Sequence, residues 1–573
     1  MKLKRFLATA TSAAMAVTLL SGCSSSGPAD GEITVNLGSE PSKLNSVLAT
    51  GSVDGNVLRH IMLGLVELDE NDEAQPGVAE SWSHSDDKLT YTFKIREGMK
   101  WSNDEPVTAH DFEYAFDQQF YALNGASYAA TWAALFEGAN EMLAPEGIPQ
   151  PPEGATVDEK TAFFGSDEYI DAYNTAFEAA SATKGYKAVD DYTLEIKLTG
   201  PYDYFVGLLA YQSFYPVNEK AVEAMKGKNS IEKLTNYATD ADKIVTNGPF
   251  DMETWAHESE IVLVKNDDFY DAENTKLEKI TMKMITDTNT AYNDFKAGTI
   301  DMIGITPEQV DLLAKDGVET DMYNDGSTWY LEYNVNNPGL NNKKVRQALT
   351  MAADAQTLVD AIVKNDTTVA SSFTPPAILA GEFQSEVGEL LDISRDFDKA
   401  KALLEEGLAE EGMTIADLKI TILGDEGENT KKTYEAVQAG FKENLGLEIG
   451  IEQVTYKARL ARMDNMEFDI VFAGWGPDYN DPMTFLDLWV TGGGNNHMKW
   501  SNADYDAAIA AAYKEADTAK RNEYLITAEK ILAEECPVGT LYWRTKDYVT
   551  SDRLEGVYRT AFQDMDFTEA YTK

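Results

Sequence analysis

The residues of this chain best suited to chemistry lie in one short stretch, Ala473 to Pro482 (AGWGPDYNDP). It sets a carboxylate, Asp478, among glycines, prolines and aromatics directly after the apolar run FDIVF at 468–472. Turns are made of Gly, Pro, Asn and Asp, so the composition alone requires only a turn. At the carboxyl end of a buried strand, where open α/β sheets bind ligands, the same residues present an indole face and an acid to a crevice. Asp478 then has two readings, a partner for a ligand cation or a cap for the helix that follows.

Signatures of reaction chemistry are missing elsewhere. The sequence contains no His-Glu-x-x-His, no Gly-x-Ser-x-Gly, no Walker loop and no Cys-x-x-Cys. Its five histidines, His60, His84, His110, His257 and His497, are not paired at ligand spacing and read as surface or capping residues, so no metal or cofactor is expected. Acids are so frequent, 97 Asp and Glu against 48 Lys and Arg, that closely spaced carboxylate pairs arise by chance. An extracellular hydrolase working with two carboxylates stays open on these grounds, but nothing selects it.

The elements that must position the stretch can be read from periodicity. Residues 33–37 (ITVNL), 66–68, 89–95 (LTYTFKI), 192–198 and 261–265 alternate as strands, and 57–65 reads as a helix. Thr108 begins another helix, with Asp111 placed close to a capping box. Residues 144–156 form a Pro/Gly-rich loop. In the second half, strand 418–423, helix 430–445 and strand 447–451 make a βαβ unit, and helix 457–463 leads to strand 468–472. The α/β reading places Asp478 just past that last strand.

The N-terminus assigns the compartment. MKLKR at 1–5 and the apolar run from Phe6 to Leu20 have the layout of a secretory signal. The following LSGC, ending at Cys23, resembles a bacterial lipobox, which implies cleavage before Cys23 and lipidation of its thiol. Residues 1–22 are then the signal and 23–30 the lipidated tether, leaving Cys536 as the other cysteine and no internal disulfide. No later run approaches the roughly 20 apolar residues that span a bilayer. A formal charge of -49 argues against nucleic acid and against anionic lipid surfaces as partners.

Nine segments taken in order, GLV (64–66), PGVAESW (76–82), FKIREGMKWS (93–102), PVTAHDF (106–112), TNGPF (246–250), KAGTID (296–301), VRQAL (345–349), TPP (374–376) and AGWGPDY (473–479), resemble the family 5 solute-binding proteins of bacterial peptide ABC importers. The resemblance implies an α/β, two-lobed, periplasmic-binding-protein-like fold of the hinge-closing type II, with an extra third domain. Lobe I is expected from residues 31–63, 219–326 and 542–573, domain II from 64–218, and lobe III from 327–541. It further implies a monomeric, non-enzymatic receptor, held to the membrane by its lipid, that passes peptides to an ABC permease and its ATPase. Other solutes taken by the family are nickel chelates, haem and short oligosaccharides; a passive adhesin is a further alternative.

By the same resemblance Asp478 binds the peptide's α-ammonium, Gly474 and Gly476 let the ligand backbone approach, and Trp475 and Tyr479 flank them. Tyr456, Trp329, Tyr330, Glu332 and Tyr128 are carried over as further ligand contacts. Two departures stand out. The disulfide of the best-known oligopeptide binders has Ser327 and Gly476 in its places, and their basic residues for the peptide carboxylate fall near Thr430, Met463 and Phe472. Arg462 is the nearest substitute.

Overall fold

The computed structural model describes residues 29–152, 156–562 and 564–573. Cys23 and the signal lie outside them. An eleven-stranded mixed sheet runs through the molecule in the order Gly450–Val454, Thr421–Asp425, Ile470–Trp475, Asp321–Tyr333, Val538–Thr550, Met302–Gly304, Glu32–Asn36, Lys279–Lys283, Glu260–Lys265, Phe250–Ala256, with Thr368–Val369 paired on Val538–Thr550. A separate four-stranded antiparallel sheet is built from Ala79–His84, Thr90–Ile95, Thr193–Lys197 and Tyr186–Asp190.

Two 13-residue strands, Asp321–Tyr333 and Val538–Thr550, carry the chain from one half of the large sheet to the other. Their antiparallel ladder breaks between Asn324 and Thr328, so Asp325, Gly326 and Ser327 bulge out. Gly326 supplies the positive φ of +67° that such a bulge demands. On one side of it Asn324 pairs with Thr545, and on the other Thr328 pairs with Trp543.

The periodic elements sit close to their expected places, and the shifts have local causes. The helix expected at 57–65 is Ser52–Ile61, because the Asp54 carboxylate accepts the N–H groups of Ser42 (2.6 Å) and Gly51 (3.2 Å) and fixes an earlier start. Thr108 is the N-cap of Ala109–Phe120, and its N–H donates to Asp111 at 2.7 Å. In the βαβ unit Thr421–Asp425 lies parallel to Gly450–Val454, joined by helix Glu428–Leu445. The strand expected to end at Phe472 continues to Trp475, since Ala473, Gly474 and Trp475 pair with Tyr330, Trp329 and Thr328. The glycine-rich stretch is therefore half strand and half loop.

One large apolar core underlies the first half and the four-stranded sheet, with Phe93, Phe112, Phe136 and Trp489 among its members. A second fills the space between the βαβ half and its helices, around Leu331, Leu349, Val437 and Phe441. His60 belongs to the first core, which corrects its reading as a surface or capping residue. Fully buried, its Nδ1 bonds the Asn56 carbonyl at 2.8 Å and its Nε2 accepts the Phe567 N–H at 3.0 Å. Burial brings its pKa down to about 4, so it is a neutral core residue.

Candidate functional site

Between the sheet halves and the four-stranded unit lies a cavity of about 1310 Å³. Its walls carry Asp478, Trp475, Gly474 and Gly476 from the strand end, Trp329 and Tyr330 from the first crossing strand, Tyr456 from helix Tyr456–Asp464, and Tyr128 from the side of the four-stranded sheet. These residues come from segments hundreds of positions apart, and folding brings them to one surface.

Asp478 is half-buried and accepts a hydrogen bond from the Tyr128 hydroxyl at 2.7 Å; the Tyr211 hydroxyl donates in turn to Tyr128 at 3.0 Å. No ion pair engages Asp478 among the described residues. Burial pushes its pKa up to about 7 despite the phenol donors. The capping alternative fails, because the short helix Met483–Leu486 takes Pro482 as its N-cap and Asp481 accepts the Met483 N–H at 2.9 Å. The Asp478 N–H donates instead to Thr484 Oγ1 at 2.9 Å, which holds the carboxylate toward the cavity.

The glycines have separable reasons. A Cβ on Gly474 would stand 2.5 Å from the Trp329 indole, so only glycine lets that ring lie across the strand; at Gly476 the space is open. Trp329 is fixed from its other side by the Arg544 guanidinium, 4.4 Å from the ring centre. Ser327, standing in a half-cystine place, donates to Asp325 (2.6 Å) and accepts the Trp329 Nε1–H (3.0 Å).

Three of the named residues do not reach the cavity. Tyr479 is turned into the core, stacked on Tyr204 at 4.9 Å and against Trp132 at 6.1 Å. Glu332 is completely buried behind the wall, its Oε1 3.5 Å from His497 Nδ1, and it is His497 that lines the cavity. Arg462 bonds Glu452 at 2.7 Å and the Glu467 carbonyl at 2.9 Å, because one helical turn separates it from Arg459, which does face the cavity and pairs with Asp425 at 2.7 Å. Tyr211 and Trp489 line it too and were not singled out by sequence, since a lone aromatic among so many carries no local signal.

The deciding comparison is with sequence families. The family model described as "Bacterial extracellular solute-binding proteins, family 5 Middle" matches residues 73–497, and the oligopeptide-binding protein OppA of Bacillus subtilis is 33% identical over 94% of this chain and 92% of its own length. The chain belongs to solute-binding protein family 5. Among solved members, Listeria monocytogenes OppA bound to peptide superposes with a TM-score of 0.82 at 29% identity, covering 95% of this chain and 99% of that one. Two structures of murein tripeptide-binding protein MppA, the first from Escherichia coli and both 26% identical, are informative together. One scores 0.80, covering 94% of this chain and 98% of its own; the unliganded open form scores 0.58, covering 95% and 98%. This family 5 protein is therefore more like the first of these two structures than the unliganded open form.

Ser127 and Tyr202 of the first half of the chain also meet the second half. Tyr202 Oη donates to the Tyr513 carbonyl at 2.8 Å, and the approach of Gly494 to Ser127 is so close that a Cβ would lie 2.1 Å from the Ser127 oxygen. Gly494→Val is expected to obstruct this approach and lower ligand affinity by about 5- to 150-fold, the equivalent of 1–3 kcal/mol charged to this arrangement. Calorimetric titration alongside a thermal scan checks it: a large loss of ligand-free stability, in place of lost affinity, would make Gly494 an ordinary packing position.

Proposed function

We propose that this protein is a lipid-anchored receptor that captures peptides by their free amino terminus and delivers them to an ABC permease for ATP-driven import. The observation that carries the reading is Asp478, a carboxylate on the wall of a large aromatic cavity, which accepts from the Tyr128 phenol and has no cation partner among the described residues. A ligand ammonium there completes a charge-assisted bond in a water-poor site and fixes register without consulting side chains. The relatives named for peptides support it. Lipidation at Cys23 follows from the LSGC segment, and the division into 31–63, 219–326 and 542–573, 64–218 and 327–541 is the proposed domain layout, with closure about the crossing strands.

A thermal-shift titration with three- to six-residue peptides, free and N-acetylated, tests the reading. Ligand at a hundred times its dissociation constant stabilises the native state by about 2.7 kcal/mol. Stabilisation by free peptides alone is expected; equal stabilisation by acetylated ones would remove the ammonium from the account, and no shift with either would turn it toward chelates or sugars.

The binding should also depend on pH. With the free Asp478 carboxyl titrating at about 7, the proton competes with the ammonium below that value. Linkage then lowers affinity by about tenfold per pH unit below 7, with a plateau up to the α-amine's own pKa near 8. Tyr128 and Tyr211, whose pKa values burial holds well above 10, stay protonated throughout. Asp478→Asn should flatten the acidic limb in calorimetric titrations from pH 5 to 8; a slope that survives the substitution would place the titrating group elsewhere.

A further inference from the structure

Two phenols stand in line behind the Asp478 carboxylate. Tyr128 Oη donates to Asp478 Oδ2 at 2.7 Å, and Tyr211 Oη donates to Tyr128 Oη at 3.0 Å. The far end of this chain forces its direction. An ionised carboxylate has no proton to give, so Tyr128 must commit its single O–H there and meets Tyr211 only as an acceptor. Tyr211 thereby acts on the carboxylate through its neighbour.

The framework around Tyr211 holds it firmly. Its N–H donates to the Leu208 carbonyl at 2.9 Å and its carbonyl accepts the Phe214 N–H at 3.0 Å, so the residue is tied at both ends between the short helices Phe205–Leu208 and Gln212–Phe214. Its ring stands edge-on to Tyr128 at 5.5 Å and to Trp132 at 6.2 Å. Tyr128 in turn lies flat on Trp132, with 4.9 Å between centres and 4° between planes, because the two are four apart on one helical turn. All of these ring contacts would survive a phenylalanine at 211. The hydroxyl alone makes the chain, whereas the buried hydroxyl of nearby Tyr204 has no hydrogen-bond partner among the described residues.

Burial raises the Asp478 pKa to about 7, and the two phenols are what restrain it. The other titratable groups beside the chain are engaged elsewhere. Asp481 holds Arg521, Asp487 accepts the Tyr513 hydroxyl, and Asp54, on the Tyr211 side, accepts the N–H groups of Ser42 and Gly51. A phenol that accepts a hydrogen bond is polarised into a stronger donor. We propose that Tyr211 is a positioning residue for the ammonium site: it donates to Tyr128, commits that phenol's proton to Asp478, and so keeps the carboxylate charged and aimed for the ligand. The inference rests on the peptide reading and adds to it a residue that acts through another.

Calorimetric titrations from pH 5 to 8 on the purified protein test it, with free-amine alanine peptides of three to six residues as probes and the tightest of them carried forward. The readout is the midpoint of the acidic limb, not the absolute affinity. Tyr211→Phe keeps the ring and removes the donor. It is expected to move the limb up by about half a pH unit or more, which makes affinity at pH 6 about threefold lower than wild type, with the deficit shrinking toward pH 8. Tyr128→Phe should move the limb further, and the double variant no further than Tyr128→Phe alone. Tyr204→Phe should leave it in place. A limb that keeps its wild-type position in Tyr211→Phe would reduce Tyr211 to packing and overturn the proposal while the ammonium reading stands; a shift that adds in full to that of Tyr128→Phe would overturn the route through Tyr128. Wild-type protein that binds free-amine peptides no better than their N-acetyl forms would overturn both readings. Thermal scans identify misfolding, and Tyr211→Met, which also lacks the donor, then supplies the same readout.

Discussion

Asp478→Ala is expected to weaken binding of free-amine peptides by about 2–5 kcal/mol, the loss typical of removing one partner from a desolvated charge pair. The magnitude follows from the surroundings of the carboxylate. It is half-buried, burial pushes its pKa up to about 7, and the Tyr128 phenol donates to it at 2.7 Å. The next acids in the chain, Asp481 and Asp487, are engaged elsewhere: Asp481 holds Arg521, and Asp487 accepts the Tyr513 hydroxyl at 2.8 Å. Asp487 is in addition pushed up to about 8 by burial. Asp478→Asn keeps the shape and the Tyr128 bond, so it isolates the charge. Calorimetry with a free-amine peptide and its N-acetyl form decides the matter. The substitution should affect the first and spare the second, and an unchanged affinity for the free amine would remove Asp478 from the site.

Much of this was readable from residue order because local physics enforces it. The βαβ unit announces itself through alternation and helical spacing, and the family resemblance, with its two-lobed α/β fold, is carried in part by glycine positions that have a packing reason. Gly474 exemplifies this: its missing Cβ is space occupied by Trp329. What sequence could not supply was direction and partnership across long separations. Tyr479 and Asp478 are neighbours, yet one faces the Tyr204 ring and the other the cavity. Arg462 and Arg459 share a helix, and a turn of it decides which one meets the cavity.

Arg521→Ala should carry a still larger penalty, about 3–5 kcal/mol in stability, because it strands a buried charge. Helix Thr518–Glu535 presents Arg521 to Asp481 in a two-pronged pair, Nη1 to Oδ2 at 2.8 Å and Nη2 to Oδ1 at 2.7 Å, with side chains only 11% and 8% exposed. The guanidinium also lies 5.4 Å from the centre of the Tyr204 ring, joining the helix to the unit that contributes Tyr128 and Tyr211. Without it, Asp481 is left beside the carboxyls of Asp478 and Asp487, which interact with one another through the low-dielectric interior. The damage should spread to function. Asp481 also receives the Met483 N–H, and the same short segment supplies Thr484, whose hydroxyl fixes the Asp478 backbone. A double variant, Arg521→Met with Asp481→Asn, removes both charges and is expected to recover much of the lost stability, since replacing a buried pair costs far less than breaking it. Melting temperatures for the single and double variants test this directly: equal losses in both would mean that the arginine acts through its packing on Tyr204, and that the charge pair adds little to holding the Asp478 loop in place.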